Sequence, residues 1–114
     1  MVANEGSRLE NFMAVQLQRA VASWNERGKG PYQLFYVRTK DGHEVDFAIA
    51  DHKKIYSLIE VKMGETNISP QLIYLKEKLN VPLAVQVVKK YGFAQMKAKD
   101  VFVLGVDRFL NLLP

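Results

Sequence analysis

Apolar and polar positions along the chain recur with two different periods. Between residues 5 and 25, Leu9, Phe12, Met13, Leu17, Ala20, Val21 and Trp24 return at three- and four-residue intervals, with Arg8, Asn11, Gln18 and Arg19 opposite them. That spacing predicts an amphipathic helix. Glu10 shares a row with Ala14, Leu17 and Val21 at the margin of the apolar stripe, so it is expected to lie close to the surface the helix covers. The stretch NERGKGP, residues 25–31, brings two glycines and a proline and ends the helix.

The period then falls to two. Residues 32–38 (YQLFYVR) are aromatic and β-branched and predict a strand. Lys40-Asp41-Gly42-His43 supplies an Asp-Gly hairpin turn. In the next strand, residues 44–50, strict alternation places Val45, Phe47 and Ile49 on one face and Glu44, Asp46 and Ala48 on the other. After a polar turn at 51–54, residues 55–63 (IYSLIEVKM) are apolar on both faces, as in a central strand covered on two sides. Ser69 and Pro70 suit the N-cap and first position of a second helix, which should run to about Asn80 and bury Leu72, Leu75 and Leu79. The apolar run at 82–88 (PLAVQVV) follows a helix and predicts a buried strand parallel to an earlier one. Residues 89–100 are polar and carry no clear pattern; 101–104 (VFVL) read as a last short strand, and Asp107 as the cap of a final helical turn or two reaching Leu113. The expected fold is α/β, with helices covering both faces of one mixed sheet.

Composition narrows the class. A chain of 114 residues is most simply a single domain, residues 1–114. No apolar run approaches the roughly 20 residues of a membrane helix, and the N-terminus lacks a signal-peptide design. The absence of cysteine excludes disulfides and thiolate metal sites, and the cytoplasm is the expected location. Lysine and arginine exceed aspartate and glutamate by 16 − 12 = 4, a mild bias toward an anionic partner. Lysines come in pairs at 53 and 54, 76 and 78, 89 and 90, and 97 and 99.

The chemistry lies in the two most strand-like segments. Asp46 and Glu60 stand on neighbouring strands of a hairpin, and Lys62 follows Glu60 on the same face at about 6–7 Å. A covered strand should not carry an acid and a lysine without a partner, because burying charge is costly. Two carboxylates held close together suit a divalent cation such as Mg²⁺. A bound water would then become more nucleophilic, and the lysine would orient it or stabilise growing negative charge.

Asp46 followed by Glu60-Val61-Lys62, with Glu10 on a preceding helix, resembles the PD-(D/E)XK nuclease superfamily. The helix, three strands, helix and strand in that order are its αβββαβ core. More narrowly, RLENFMA, YVRTKDGHEVDFAI and LIEVK resemble the domain of unknown function found at the C-terminus of many prokaryotic AAA+-type ATPases. The resemblance implies a restriction-endonuclease-like fold and hydrolysis of nucleic acid, DNA first, with Mg²⁺ or Mn²⁺. It implies Asp46 and Glu60 as metal ligands, the Val61 carbonyl as a third, Lys62 as the catalytic lysine and Glu10 as a supporting acid. An AAA+-type ATPase is the implied protein partner, and a homodimer is compatible with the pattern. The chain departs from the superfamily in having Val45 before Asp46 where a proline is usual. Gln71 and Tyr74 are three apart, not the four of RecB-like relatives, and no phosphate-loop motif is present. Two other expectations therefore stand beside hydrolysis: a non-catalytic nucleic-acid-binding or regulatory module, and a domain that serves only to dock on its ATPase. Glu44 is expected to pair with Arg38 across the hairpin, and Trp24, Phe35 and Tyr36 to belong to the core.

Overall fold

A computed structural model describes residues 5–114. Its elements run α1 (Glu5–Glu26), β1 (Gln33–Arg38), β2 (Glu44–Ala50), β3 (Ile55–Lys62), α2 (Pro70–Lys78), β4 (Leu83–Val88), β5 (Ala94–Ala98), β6 (Val101–Gly105) and α3 (Val106–Leu110). The strands form one six-stranded sheet in the order β1-β2-β3-β4-β6-β5. The first three make an antiparallel meander; β4 runs parallel to both β3 and β6, and β5 closes the far edge antiparallel to β6. This is an α/β fold with a central mixed sheet in the restriction-endonuclease-like αβββαβ arrangement.

Both faces of the sheet are covered, as two separate cores require. On one face, Met13, Leu17 and Val21 of α1 and Phe109 of α3 pack on Phe47, Ile49, Ile59, Val85 and Val87. On the other, Leu72 and Leu75 of α2 pack on Val45, Ala48, Leu58, Ala84 and Val101. Met13, Leu17, Leu58, Leu72 and Leu75 have no exposed surface. Burial of such side chains stabilises by about 1.5–3 kcal/mol each. The central strands β3 and β4 owe their near-continuous apolar character to this two-sided cover.

Helix α2 stops where Asn80 takes the left-handed conformation (φ 53°). The amides of Asn80 and Val81 then return to the carbonyls of Glu77 and Lys76 at 3.2 and 2.9 Å, which satisfies the last turn. At its start, Ser69 occupies the N-cap position but makes no side-chain cap bond. Its amide instead donates to the Gln86 side chain. Asp107 likewise does not cap α3; its carboxylate accepts from the Gly92 amide at 3.0 and 3.1 Å, which ties the approach to β5 to the helix.

Three expectations change. Strand β5 lies in the stretch without a pattern, because an exposed edge strand is held through its backbone and its side chains need not alternate. Phe35 and Tyr36 are 45% and 57% exposed, since β1 is the other edge and has a neighbour on one side alone. The faces of β2 also differ. Val45 packs with the α2 core, whereas Phe47 and Ile49 pack with the α1 core. Strict alternation fails across Asp46.

Candidate functional site

The failure of alternation has a local cause. In the β1–β2 pair, Phe35 faces Ala48 and Val37 faces Val45, so Asp46 and Phe47 together oppose Tyr36. Two residues against one is a β-bulge, which bends the strand and re-aims a side chain. The β2–β3 ladder ends nearby, at Phe47 and Ile59. Beyond it β2 keeps β1 as its partner, and β3 runs on beside β4 with Glu60 opposite Gln86 and Lys62 opposite Val88. The sheet therefore forks where Asp46 and Glu60 would have faced each other.

Side chains take over from the missing ladder. The Asp46 amide donates to Glu60 Oε1 at 3.2 Å, and the Val61 amide donates to Asp46 Oδ2 at 2.8 Å. Each carboxyl group satisfies a backbone donor of the opposite strand, as a buried fork requires. A cavity of about 580 Å³ opens over the fork, and Glu10, Asp46, Glu60, Val61 and Lys62 all line it. Gly6 and Ser7 from the start of α1, Gln71 from the first turn of α2, Tyr36, Glu44 and Met63 complete the wall.

The electrostatics follow from burial. Glu60 is 7% exposed. Loss of water, and then the charge of Asp46 beside it, push its pKa up to about 8, so the carboxyl is largely protonated at neutral pH. Glu10 is shifted upward as well, by partial desolvation and then by Asp46. Among the described residues Lys62 takes part in no ion pair. Glu44 and Arg38 stand opposite each other in register but form no ion pair. The Glu44 carboxylate instead accepts from the Tyr36 hydroxyl, and its amide donates to Gln71 Oε1 at 3.0 Å.

One supporting residue escaped the sequence reading. Gln86 is fully buried next to Glu60 in register. Its Oε1 accepts from the Ser69 amide at 2.9 Å, and its Nε2 donates to the carbonyls of Glu65 and Asn67, both at 2.9 Å. It thereby holds the loop between β3 and α2 against the sheet. The signal was present: one amide in the middle of PLAVQVV.

The expectation of bound Mg²⁺ or Mn²⁺ is not met by these side chains. No group of three or more His, Cys, Asp or Glu residues among those described is placed to hold a metal ion. The donor chemistry agrees. Asp46 and Glu60 each commit an oxygen to a backbone amide. No helix among the described residues is long and apolar enough to cross a membrane.

A family model described as "Domain of unknown function (DUF4143)" matches residues 5–109. The chain belongs to this family. No curated protein and no solved structure matches it. The match to DUF4143 spans every strand of the sheet and both walls of the cleft.

Proposed function

We propose that this DUF4143 domain is a non-catalytic interaction module that works in association with an AAA+-type ATPase. One observation carries the reading: the carboxyl pair at the fork is satisfied from within. Asp46 and Glu60 each accept from a backbone amide of the opposite strand, so the pair holds the sheet open. The nuclease-like scaffold is thus a frame for a cleft. The resemblance of RLENFMA and LIEVK to a domain at the C-terminus of such ATPases supports the choice of partner.

The test has two arms. The chain is mixed with an AAA+-type ATPase domain of the kind that carries this module, and complex formation and ATP turnover are measured. Binding with altered turnover is expected. Incubation with DNA and RNA should give no cleavage with or without divalent ions. Cleavage that is lost in Lys62→Ala would overturn the reading and restore hydrolysis.

A second reading has its own observation. Arg8 and Lys89, the latter paired with Glu5 at 3.7 Å, line a shallow cavity of about 250 Å³ at the C-terminal end of β4, one strand from Lys62. Ligands of open α/β sheets bind beyond the carboxyl ends of the strands. A phosphate backbone could follow this rim, as a nucleic-acid-binding module would require. The cleft beside it sets Glu10, Glu44 and Asp46 against Lys62 alone, which disfavours a polyanion there. Oligonucleotide binding that weakens with salt and falls in Arg8→Glu would support this reading.

A further inference from the structure

Ile49, Ser57 and Leu83 lie side by side in register on β2, β3 and β4, toward the end of the sheet away from the carboxyl cleft. Ser57 is the small member between two aliphatic neighbours, and the depression over it is a cavity of about 260 Å³. Trp24, Tyr32 and Tyr56 form its walls. A second bulge brings Tyr56 there: Ile49 pairs with Ser57 and Ala50 with Ile55, which leaves Tyr56 as the extra residue of β3.

The walls are fixed in advance. The rings of Trp24 and Tyr32 meet edge to face with centroids 6.3 Å apart, and those of Tyr32 and Tyr56 at 5.5 Å. The Asn25 amide clasps the Tyr32 backbone from both sides, at 3.0 and 2.8 Å. The Tyr56 hydroxyl donates to Asp51 at 2.7 Å. A rigid aromatic cavity of this kind costs little ordering entropy when it is filled.

Size and charge specify the occupant. Small-molecule sites run about 300–1,000 Å³. This cavity is smaller and matches one large aliphatic or aromatic side chain, the anchor of a protein contact. Lys29 stands in its wall, and Lys54 Nζ lies 4.7 Å from the Tyr56 ring centroid. No carboxylate lines it among the described residues. The Asp51 carboxylate is already engaged by the Tyr56 hydroxyl and the amides of Lys53 and Lys54.

We propose that this cavity docks an acidic polypeptide segment that inserts one apolar side chain between Trp24, Tyr32 and Tyr56. The proposal deepens the interaction-module reading and rests on it, because it supplies the chemistry by which a partner protein is held.

Trp24 is the only tryptophan of the chain, so its emission reports on the cavity directly. The protein is titrated with three blocked peptides: Asp-Glu-Leu-Glu-Asp, the same with a central serine, and Lys-Arg-Leu-Arg-Lys. A saturable change is expected with the acidic leucine peptide at a midpoint below about 1 mM, and binding at least about tenfold weaker for the other two. Lys29→Glu combined with Lys54→Glu should weaken the first peptide to the level of the others, with the far-UV spectrum unchanged. Ser57→Phe should fill the cavity and abolish the response. No saturable change, or an equal response to all three peptides, overturns the proposal. So does a single-stranded oligonucleotide that displaces the peptide, which would make the cavity a base-stacking site. If Ser57→Phe still binds the ATPase domain while wild type ignores the peptides, the docking site fails and the interaction-module reading survives. If neither partner binds, both fail.

Discussion

Glu60 and Gln86 are neighbours in register on parallel strands, and both are buried, yet they are satisfied in opposite ways. Gln86 spends its whole amide on the backbone of one loop, accepting once and donating twice. Glu60 accepts from the backbone of β2 and keeps its charge down by holding a proton. A central row of the sheet thus carries two polar side chains with different tasks: Gln86 anchors the loop that leads into α2, and Glu60 holds the fork.

Removing the amide tests the first task. Gln86→Leu keeps the volume roughly constant but deprives the Ser69 amide and the carbonyls of Glu65 and Asn67 of their partner. Each loss of a partly buried partner costs about 1 kcal/mol or more, so a destabilisation of about 2–4 kcal/mol is expected in urea unfolding. The Ser69 amide should also exchange with solvent faster than amides of β4, which locates the damage in the loop. Unchanged exchange at Ser69 would mean that the loop is held by something else.

Gln86 also shows where sequence patterns reach and where they stop. Helices α1 and α2, the meander and β4 were legible because each buries a stripe or a face, and burial writes a period into the chain. Strand β5 was not, because Ala94–Ala98 is an exposed edge strand held by backbone bonds to β6. The convergence of Glu10, Asp46, Glu60 and Lys62 on one cavity was legible from element order and alternate spacing. The bulge that turns β2 over at Asp46 was not, since alternation presumes a regular pleat. The metal reading failed for a related reason. Spacing shows that two carboxylates approach, and says nothing of whether backbone amides or a proton will satisfy them first.

The proton on Glu60 makes stability depend on pH with a definite sign. The carboxyl has an ordinary value of 4.5 and a value of about 8 in the fold. Between these the folded state binds the proton that the unfolded state has released, so stability must fall as pH rises. The contribution is fully present below about pH 4.5 and is lost as pH rises through about 8. Glu60→Gln removes the titration while keeping an acceptor for the Asp46 amide. Relative to this variant, wild type should lose on the order of 4 kcal/mol between pH 5 and pH 9 in chemical denaturation. Parallel profiles for the two proteins would show that Glu60 is ionised throughout.

Asp46 contributes to the shift of Glu60 through its charge, second to burial. Asp46→Asn removes that charge and retains an oxygen for the Val61 amide. The Glu60 pKa should fall by about one unit or more but stay above its ordinary value, because burial remains. Carbon-13 titration of the Glu60 side-chain carboxyl measures this directly. Glu10 should move downward in the same variant, since Asp46 raises it too. A Glu60 titration unmoved by the substitution would show that the two carboxyls do not sense each other across the fork.

The same geometry fixes what divalent ions should do. A ligand that binds the folded state alone at 100 times its dissociation constant stabilises by about 2.7 kcal/mol, a shift of several degrees for a chain of this size. With no group of three or more His, Cys, Asp or Glu residues placed to hold a metal among the described residues, and with an oxygen of each carboxyl engaged by an amide, no such shift is expected. Millimolar MnCl₂ or MgCl₂ should leave the thermal midpoint of wild type within about 1 °C of its value in chelator. Asp46→Ala should show the same indifference, but at a lower midpoint, because the Val61 amide has lost its acceptor. The paired comparison separates a structural carboxylate from a ligand. A ligand would give stabilisation by metal in wild type that disappears in the variant. A carboxylate that holds the fork gives a constant difference between the two proteins, whatever the ion.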